Sequence, residues 1–280
     1  MLQRPYGSAG EMLSMIGMGA IVVMDATVAE AAERVAWAVD QGVNYFDVAP
    51  TYGNAEERLG PALAPQRDKV FLACKSEKRD ASGVIEALEN SLRLLRTDHF
   101  DLYQLHALST MDDVEQVFAP GGAMEAFVRA RDAGKVRHLG FSAHSQEAAV
   151  AAMARFPFDS VLFPVNYAAW NMGDFGPAIM AEAERRGVAR LALKAMAHGK
   201  WPEGGPRRWP KPWYEPLDAS RPVELALRWT LSKPITAALP PGEWDLFRMA
   251  VNLAKDFRPI TDEEAAELMT YAPIEPAIFP

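Results

Sequence analysis

Four side chains with complementary acid–base chemistry stand at or just beyond the ends of apolar segments. Asp47 ends the run VNYFD, Tyr52 follows five residues later, and Lys75 and His106 end the runs KVFLACK and FDLYQLH. A phenol, with an ordinary pKa of about 10, gives up its proton more readily when a nearby cation stabilises the phenolate. Lys75 would be that cation, Asp47 would keep it charged and oriented, and His106 would hydrogen-bond a substrate carbonyl oxygen. The four residues predict proton transfer to or from an oxygen while another group supplies the electrons.

The elements that must position these residues alternate along the chain as short apolar runs and amphipathic segments. We expect strands at 13–21, 43–47, 69–75, 100–106, 136–142, 160–166, 188–196 and 234–240, each followed by a helix. With no Gly/Ser-rich linker, this order predicts a single α/β domain over residues 1–280, a (β/α)8 TIM barrel with a C-terminal extra helix. A doubly wound sheet is the alternative, but of its Gly-rich phosphate loop only the G-x-G fragment of Gly17 and Gly19 is present.

In a (β/α)8 barrel the carboxyl ends of all strands meet at one mouth, where the chemistry takes place. The four residues would then converge there with Ser142 and His144 from the fifth strand and Lys194 from the seventh. Polar and charged groups that end apolar strands are costly unless they are paired. Their convergence favours a functional site over the alternative of a capping aspartate followed by a half-buried loop tyrosine.

The composition restricts the class of function. A net charge of −8 argues against nucleic acid or an anionic membrane as the partner. No apolar run approaches the roughly 18 residues of a membrane span, and no signal peptide is visible. The single cysteine, Cys74, rules out an internal disulfide framework and fits a reducing compartment. We expect a cytoplasmic protein that acts on a small molecule; the sequence leaves its oligomeric state open.

These segments resemble the aldo-keto reductase family over almost the whole chain. The stretches FDVAPTYGNAE, FLACK, DLYQLH, GKVRHLGFSAHS and PPGEWDLFRMAVN occur in the order of that family. Asp47, Tyr52, Lys75 and His106 match its catalytic tetrad, including the five-residue offset between the first two. The resemblance implies an N-terminal hairpin that closes the barrel bottom and Tyr52 as general acid. It also implies metal-free hydride transfer between a nicotinamide cofactor and an aldehyde or ketone, or the corresponding alcohol.

The resemblance also implies a set of cofactor-binding residues, and it favours NADP(H) over NAD(H). The set is Gly19, Ser142, His144, Asn166, Lys194, Gly242, Glu243, Arg248 and Asn252. Arg248 matches an arginine that contacts the adenine and the 2′-phosphate, which its fork of donors suits. Glu243 stands where Ser or Thr often touches that phosphate. A carboxylate there would repel the phosphate and could accept from a ribose 2′-hydroxyl, as acidic residues do in NAD sites.

Two departures from the family pattern favour a different function. Ala143 follows the serine of the fifth strand where the family often has Asn, and Leu162 replaces the usual carboxamide-binding Gln. The first alternative is therefore a catalytically weak dinucleotide-binding module that acts as a redox sensor or regulator. The second is a metal-dependent barrel hydrolase in which His144 and His198 join His106. No H-x-H pair or Glu/His cluster accompanies these histidines.

The segment 197–220 is too long for an ordinary connection and is rich in aromatic residues. Long insertions at a barrel mouth are commonly lids or substrate walls, so Trp201, Trp213 and Tyr214 are candidates for the substrate pocket. The alternative, given equal weight, is that these aromatic side chains only fasten the loop to the barrel.

Overall fold

The computed structural model describes residues 1–8, 10–273 and 278, and its centre is a sheet of eight parallel strands. The strands are β1 (Met18–Gly19), β2 (Tyr45–Asp47), β3 (Phe71–Ser76), β4 (Phe100–Leu108), β5 (Val136–Ala143), β6 (Ser160–Pro164), β7 (Ala189–Leu193) and β8 (Ala237–Leu239). Each strand pairs with the next one in chain order. Ile16, just before β1, bridges Ala238 of β8 and brings the two edges of the sheet together. The predicted (β/α)8 barrel is confirmed, and the doubly wound alternative is wrong.

Helices connect the strands and cover the outside of the barrel. They are α1 (Val28–Asp40), α2 (Ala55–Leu63), α3 (Ala81–Leu94), α4 (Met111–Phe118), α5 (Ala123–Asp132), α6 (Gln146–Arg155), α7 (Tyr167–Met172), α8 (Pro177–Arg186), α9 (Ser220–Leu231), α10 (Trp244–Lys255) and α11 (Asp262–Met269). Thr27 and Glu30 form the capping box of α1 that their spacing predicts. The extra helix α11 follows the last helix of the barrel, as predicted. No helix in the described part of the chain is long and apolar enough to span a bilayer.

The segment 13–21 differs from the single strand that its apolar character predicts. Met12–Ser14 pairs with Gln3–Pro5 in an antiparallel hairpin, β1 keeps only two residues, and Ala20–Val23 form a 3-10 helix. An apolar run alone does not fix the element type, because hairpin, barrel strand and turn are all buried here. Gly17 belongs to no phosphate loop: it passes so close to Tyr45 that a Cβ would overlap the tyrosine ring.

The N-terminal hairpin closes the amino-terminal end of the barrel, as the resemblance implies. Tyr6 and Leu13 of this hairpin are fully buried and pack against side chains inside the barrel. The guanidinium of Arg4 donates to the carbonyl of Ile235 at 2.9 Å, which fastens the hairpin to the start of β8. A second, larger core lies between the outer faces of the strands and the helices.

The third strand shows how strand alternation separates these two cores. Cys74 points outward, where its sulfur lies 3.9 Å from Glu56 Oε1 on α2. The next side chain, Lys75, points into the barrel. The prediction that Cys74 packs against the helices and faces away from Lys75 is confirmed.

Candidate active site

A cavity of about 220 Å³ lies at the carboxyl ends of the strands. All four residues of the proposed tetrad line it: Asp47 from β2, Tyr52 from the following loop, Lys75 from β3 and His106 from β4. The structure therefore brings together, from three neighbouring strands, the four side chains that the sequence placed at strand ends.

An ion pair between Asp47 and Lys75 stands at the centre of this group. Lys75 Nζ contacts Asp47 Oδ1, and both side chains are 1% exposed. The other carboxylate oxygen, Oδ2, accepts hydrogen bonds from the Tyr45 hydroxyl and from Gln104 Nε2, each at 3.1 Å. Burial is the largest single effect and lowers the pKa of Lys75, but the Asp47 carboxylate and Tyr52 together outweigh it, so the net pKa is raised. Lys75 is therefore held as a cation.

The half-buried ring of Tyr52 lies beside this ion pair. Its loop turns at Gly53, which adopts a left-handed φ of 55° that a side chain would strain. Lys75 Nζ lies 5.4 Å from the ring centroid, and the His106 ring lies at 6.0 Å, nearly perpendicular. Burial raises the pKa of Tyr52, and the Lys75 charge offsets this only in part. The lowering effect of Lys75 is present as expected, but burial is the larger effect and the net pKa of Tyr52 is raised.

His106 lies where β4 departs from regular strand geometry. Ala107, the next residue, has a left-handed φ of 54° and donates its N–H to Ser142 Oγ at 2.8 Å. Arg79 donates to the carbonyls of His106 and Ala107 at 2.9 and 3.1 Å. Burial and the nearby Lys75 cation lower the pKa of His106 to about 3. The imidazole is therefore neutral near pH 7 and has one N–H to donate.

Five of the predicted cofactor-binding residues line the same cavity. They are Gly19, Ser142, His144, Lys194 and Gly242. Lys194 follows β7 with a left-handed φ of 62°, and its Nζ lies 3.1 Å from His144 Nε2 and 5.2 Å from the centroid of the Trp213 ring. Burial lowers the pKa of Lys194 to about 7 and that of His144 to about 3. Space is open beside Gly19, where a Cβ would meet nothing within 4 Å.

Asn166 is buried but does not line the cavity. Its Oδ1 accepts the N–H groups of Ala168 and Ala169 at the start of α7. Its Nδ2 donates to the carbonyls of Lys194 and Ala197 at 3.2 and 2.7 Å. Asn166 therefore supports the backbone turn that carries Lys194.

The remaining three predicted cofactor residues lie beyond the cavity, at or on α10. Glu243 precedes this helix, and its Oε1 accepts the backbone N–H of Lys211 at 2.9 Å. Arg248 is exposed and its guanidinium lies 5.7 Å from the Trp244 ring, while the exposed Asn252 contacts a lysine one turn later. These side chains stand outside the cavity that contains Tyr52.

The Trp-rich segment crosses the barrel mouth as a strap, defined here as residues 201–213. The ends of the segment pair as an antiparallel hairpin of Ala197–Lys200 and Tyr214–Pro216, which the sequence did not predict. Lys211 Nζ donates to the carbonyls of Ile21 and Met24 at 2.9 and 2.8 Å, next to β1. These contacts tie the strap across the mouth.

The aromatic side chains of this segment divide between the cavity and the strap. Trp213 and Tyr214 line the cavity, in agreement with their candidacy for the substrate pocket. Trp201 does not line it; its indole N–H donates to the Pro212 carbonyl at 2.9 Å and braces the strap. Trp213 and Tyr214 therefore stay candidates for the substrate pocket, whereas Trp201 fastens the loop.

The structure gives no support to a three-histidine metal site. His198 lies outside the cavity and contacts Glu215 at 3.1 Å, whereas His106 and His144 line the cavity. Among residues 1–8, 10–273 and 278, no three His, Cys, Asp or Glu side chains are grouped so as to hold a metal ion.

The sequence interpretation missed four residues that act on this site. Tyr45 and Gln104 hold Asp47, Arg79 holds the backbone of His106, and Lys211 ties down the strap. Strand alternation would have revealed the first two, because Tyr45 and Gln104 each precede a tetrad residue by two positions and share its face. No sequence signal identifies the other two, which depend on contacts between distant loops.

Comparison with known proteins identifies a family to which this chain is similar. The model of the Aldo/keto reductase family matches residues 15–207. The chain is 32% identical over 181 residues to aldo-keto reductase YhdN of Bacillus subtilis, covering 60% of this chain and 52% of the relative. It is 35% identical over 111 residues to NADPH-dependent codeinone reductase 1-5 of Papaver somniferum, covering 35% and 34%. The chain spans about half the length of YhdN and of a second Bacillus subtilis relative, the uncharacterized oxidoreductase YqkF.

The fold is similar to that of aldo-keto reductase AKR11C1 from Bacillus halodurans in its holo form. The TM-score is 0.76 at 23% identity, over 99% of this chain and 98% of the other. At this identity the likeness concerns the fold alone, whereas the family match extends over more than half of the sequence. The barrel, the four residues at its mouth and the family match agree, and the chain belongs to the aldo/keto reductase family.

Proposed function

We propose that the protein is an NAD(P)H-dependent oxidoreductase that reduces an aldehyde or ketone to an alcohol, or catalyses the reverse reaction. The observation that carries this proposal is the Asp47–Lys75 ion pair beside Tyr52 and His106 in one cavity. Family membership supports oxidoreductase chemistry on a small carbonyl compound.

In this proposal each of the four side chains has one task. Tyr52 keeps its proton near neutral pH because burial raises its pKa, so it serves as the general acid. The Lys75 cation, held by Asp47, stabilises the phenolate that remains after the proton has moved to the substrate oxygen. Neutral His106 donates its N–H to the same oxygen and fixes the direction of the carbonyl. A bound nicotinamide supplies the hydride to the carbonyl carbon.

We assign the nicotinamide end of the cofactor to the cavity and favour NADP(H). Gly19 leaves open space, and Lys194 supplies a cation for a phosphate group. The name of the NADPH-dependent poppy relative supports the same preference. One Glu243 oxygen accepts from Lys211, so this carboxylate is already engaged with the strap rather than with a ribose. The cavity is smaller than the roughly 300–1,000 Å³ of ordinary ligand sites, so a dinucleotide requires the strap to move.

The variant Tyr52→Phe tests the proton transfer. It should bind NADPH with unchanged affinity, because the hydroxyl acts on the carbonyl oxygen, and should reduce carbonyl substrates about 10²- to 10⁴-fold more slowly. Fluorescence titration gives the dissociation constant and single-turnover absorbance gives the rate. Tyr103→Phe, a buried tyrosine outside the barrel interior, is the control and should retain activity. Near-normal reduction by Tyr52→Phe would refute its role as acid.

One feature of the cavity favours the redox-sensor alternative. Leu162 lines the cavity at the position where the family has a Gln that holds the nicotinamide carboxamide, and it offers no polar atom. Panels of aldehydes and ketones, tested in single turnovers with the wild-type protein, decide between the two. Tight dinucleotide binding with no carbonyl-dependent oxidation of NADPH would support the sensor and refute the reductase.

A further inference from the structure

We propose that Tyr45 and Gln104 are positioning residues that hold the Asp47 carboxylate in one orientation and so keep Lys75 charged beside Tyr52. This inference deepens the proposed function and rests on it. Neither side chain belongs to the tetrad, and neither lines the cavity. Both side chains contact Asp47 from inside the barrel rather than from the cavity.

The two carboxylate oxygens of Asp47 contact different partners. Oδ1 faces Lys75 Nζ, while Oδ2 accepts the Tyr45 hydroxyl and the Gln104 amide, each at 3.1 Å. Tyr45 and Gln104 are fully buried, and Asp47 is 1% exposed, so bulk water does not compete for these bonds. Each carboxylate oxygen thus has its own donors, and rotation of the carboxylate would break all three contacts at once.

Strand alternation and strand register place these two donors beside Asp47. Tyr45 precedes Asp47 by two residues on β2, so both point into the barrel. Gln104 stands directly beside Lys75 in the register of β3 and β4. The Tyr45 ring has room inside the barrel only because Gly17, against which it packs, has no side chain. Three chain segments, which contain Gly17, Tyr45 and Gln104, therefore contribute to the orientation of the Asp47 carboxylate.

The energetic reason is the cost of a carboxylate in an apolar interior. Such a group stays ionised only when it is paired and hydrogen-bonded, and neutral donors to the charged form stabilise it. Among the described residues, Gln104 Oε1 has no hydrogen-bond partner, so Asp47 alone orients this amide. A flipped amide would set Oε1 against Oδ2, two acceptors facing each other. The titratable groups that face Asp47 are Lys75, Tyr45 and Tyr52.

The test uses Tyr45→Phe, which removes one oxygen atom, and Gln104→Met, which keeps the length of the side chain. Each should lower kcat for carbonyl reduction about tenfold while the dissociation constant for NADPH stays unchanged.

Tyr103→Phe is the matched control, since Tyr103 is equally buried on β4 but packs against Phe100 and Phe127 on the helix side. It should leave kcat and the dissociation constant for NADPH unchanged. The proposal is wrong if Tyr45→Phe and Gln104→Met behave as this control does, with kcat within about twofold of wild type. Were Gln104→Met to misfold, Tyr45→Phe would decide alone.

A measurement independent of turnover separates this inference from the proposed function. ¹³C NMR of labelled lysine, with Lys75 assigned through Lys75→Met, follows its ionisation during a pH titration. In Tyr45→Phe and Gln104→Met, Lys75 should lose its proton at a lower pH than in the wild type, because Asp47 holds it less well. An unchanged Lys75 titration overturns the positioning role even in an active enzyme. If the Lys75 titration shifts in the two variants but the wild type reduces no carbonyl, the positioning role stands and the reductase is refuted.

Discussion

At the scale of single residues, side chains at the barrel mouth take opposite charge states depending on their partners. Lys75 stays protonated because Asp47 is in contact with it, whereas the imidazoles of His106 and His144 are neutral because burial lowers their pKa to about 3. Lys194 lies between these cases, since burial lowers its pKa to about 7. The charge that the cavity offers to an anionic ligand therefore changes near physiological pH.

This titration leads to a prediction for cofactor affinity. If Lys194 binds the cofactor phosphates as proposed, its charge would attract them below about pH 7, and the free protein would lose this attraction above it. NADPH affinity of the wild type should fall about tenfold between pH 6 and 8.5 in fluorescence titrations, and Lys194→Met should bind weakly with little pH dependence. Lys200→Met, an exposed lysine on the neighbouring hairpin, should behave as the wild type. A wild-type pH dependence retained in Lys194→Met would contradict this assignment.

At the scale of elements, the strap lies across the mouth of the barrel. Its anchor, Lys211, joins two segments distant in sequence: Nζ binds the carbonyls of Ile21 and Met24, and the backbone N–H binds Glu243. The strap therefore connects the end of β1 with the start of α10. A dinucleotide that enters under it must break these bonds or pass beneath them.

Removal of this anchor should change the kinetics of cofactor exchange. In Lys211→Met the strap loses its hydrogen bonds to the carbonyls near β1, so NADPH should associate and dissociate faster, the dissociation rate rising about tenfold. Stopped-flow fluorescence measures both rates, and Lys200→Met controls for the loss of one positive charge. Unchanged rates in Lys211→Met would show that the strap does not gate the cavity.

At the scale of the whole molecule, the N-terminal hairpin fills the end of the barrel opposite the active site. His138 on β5 holds it in place: its Nε2 lies 2.9 Å from Glu11 Oε1, and its ring packs against Tyr6 and Phe71. Asp159 lies on the other side, 3.5 Å from Nδ1. Burial lowers the pKa of His138, but the two carboxylates together raise it above its ordinary value.

The raised pKa of His138 makes this contact pH-dependent. A group whose pKa is higher in the folded state stabilises the fold below its unfolded pKa, near 6.5, and loses that contribution as the pH rises through the folded value. The stability advantage of wild type over His138→Gln should therefore be larger at pH 6 than at pH 8.5 in urea unfolding. His99→Gln, which removes a contact to the exposed Asp98, is the control and should show little change. An equal advantage at both pH values would show that the ion pairs of His138 do not contribute to the free energy of unfolding.

Much of the site was predictable because its determinants are local. Asp47, Lys75 and His106 end apolar runs, and strands that end in the same direction in a barrel must bring their last side chains together. The outward direction of Cys74 follows from alternation in the same way. The division of segment 13–21 into a hairpin strand, the barrel strand β1 and a 3-10 helix was not predictable. The same apolar residues suit all three elements.

By itself the sequence determined the order of the elements, the barrel and the four side chains at its mouth, because these depend on periodicity, strand polarity and a family pattern. Only the tertiary structure decided which residues share the cavity: Lys194 lines it, whereas Glu243 is turned to the strap. It also decided the sign of the pKa shift of Tyr52 and the contacts of Lys211 that tie down the strap. Burial and contacts between distant segments set these properties, and neither exists until the barrel closes.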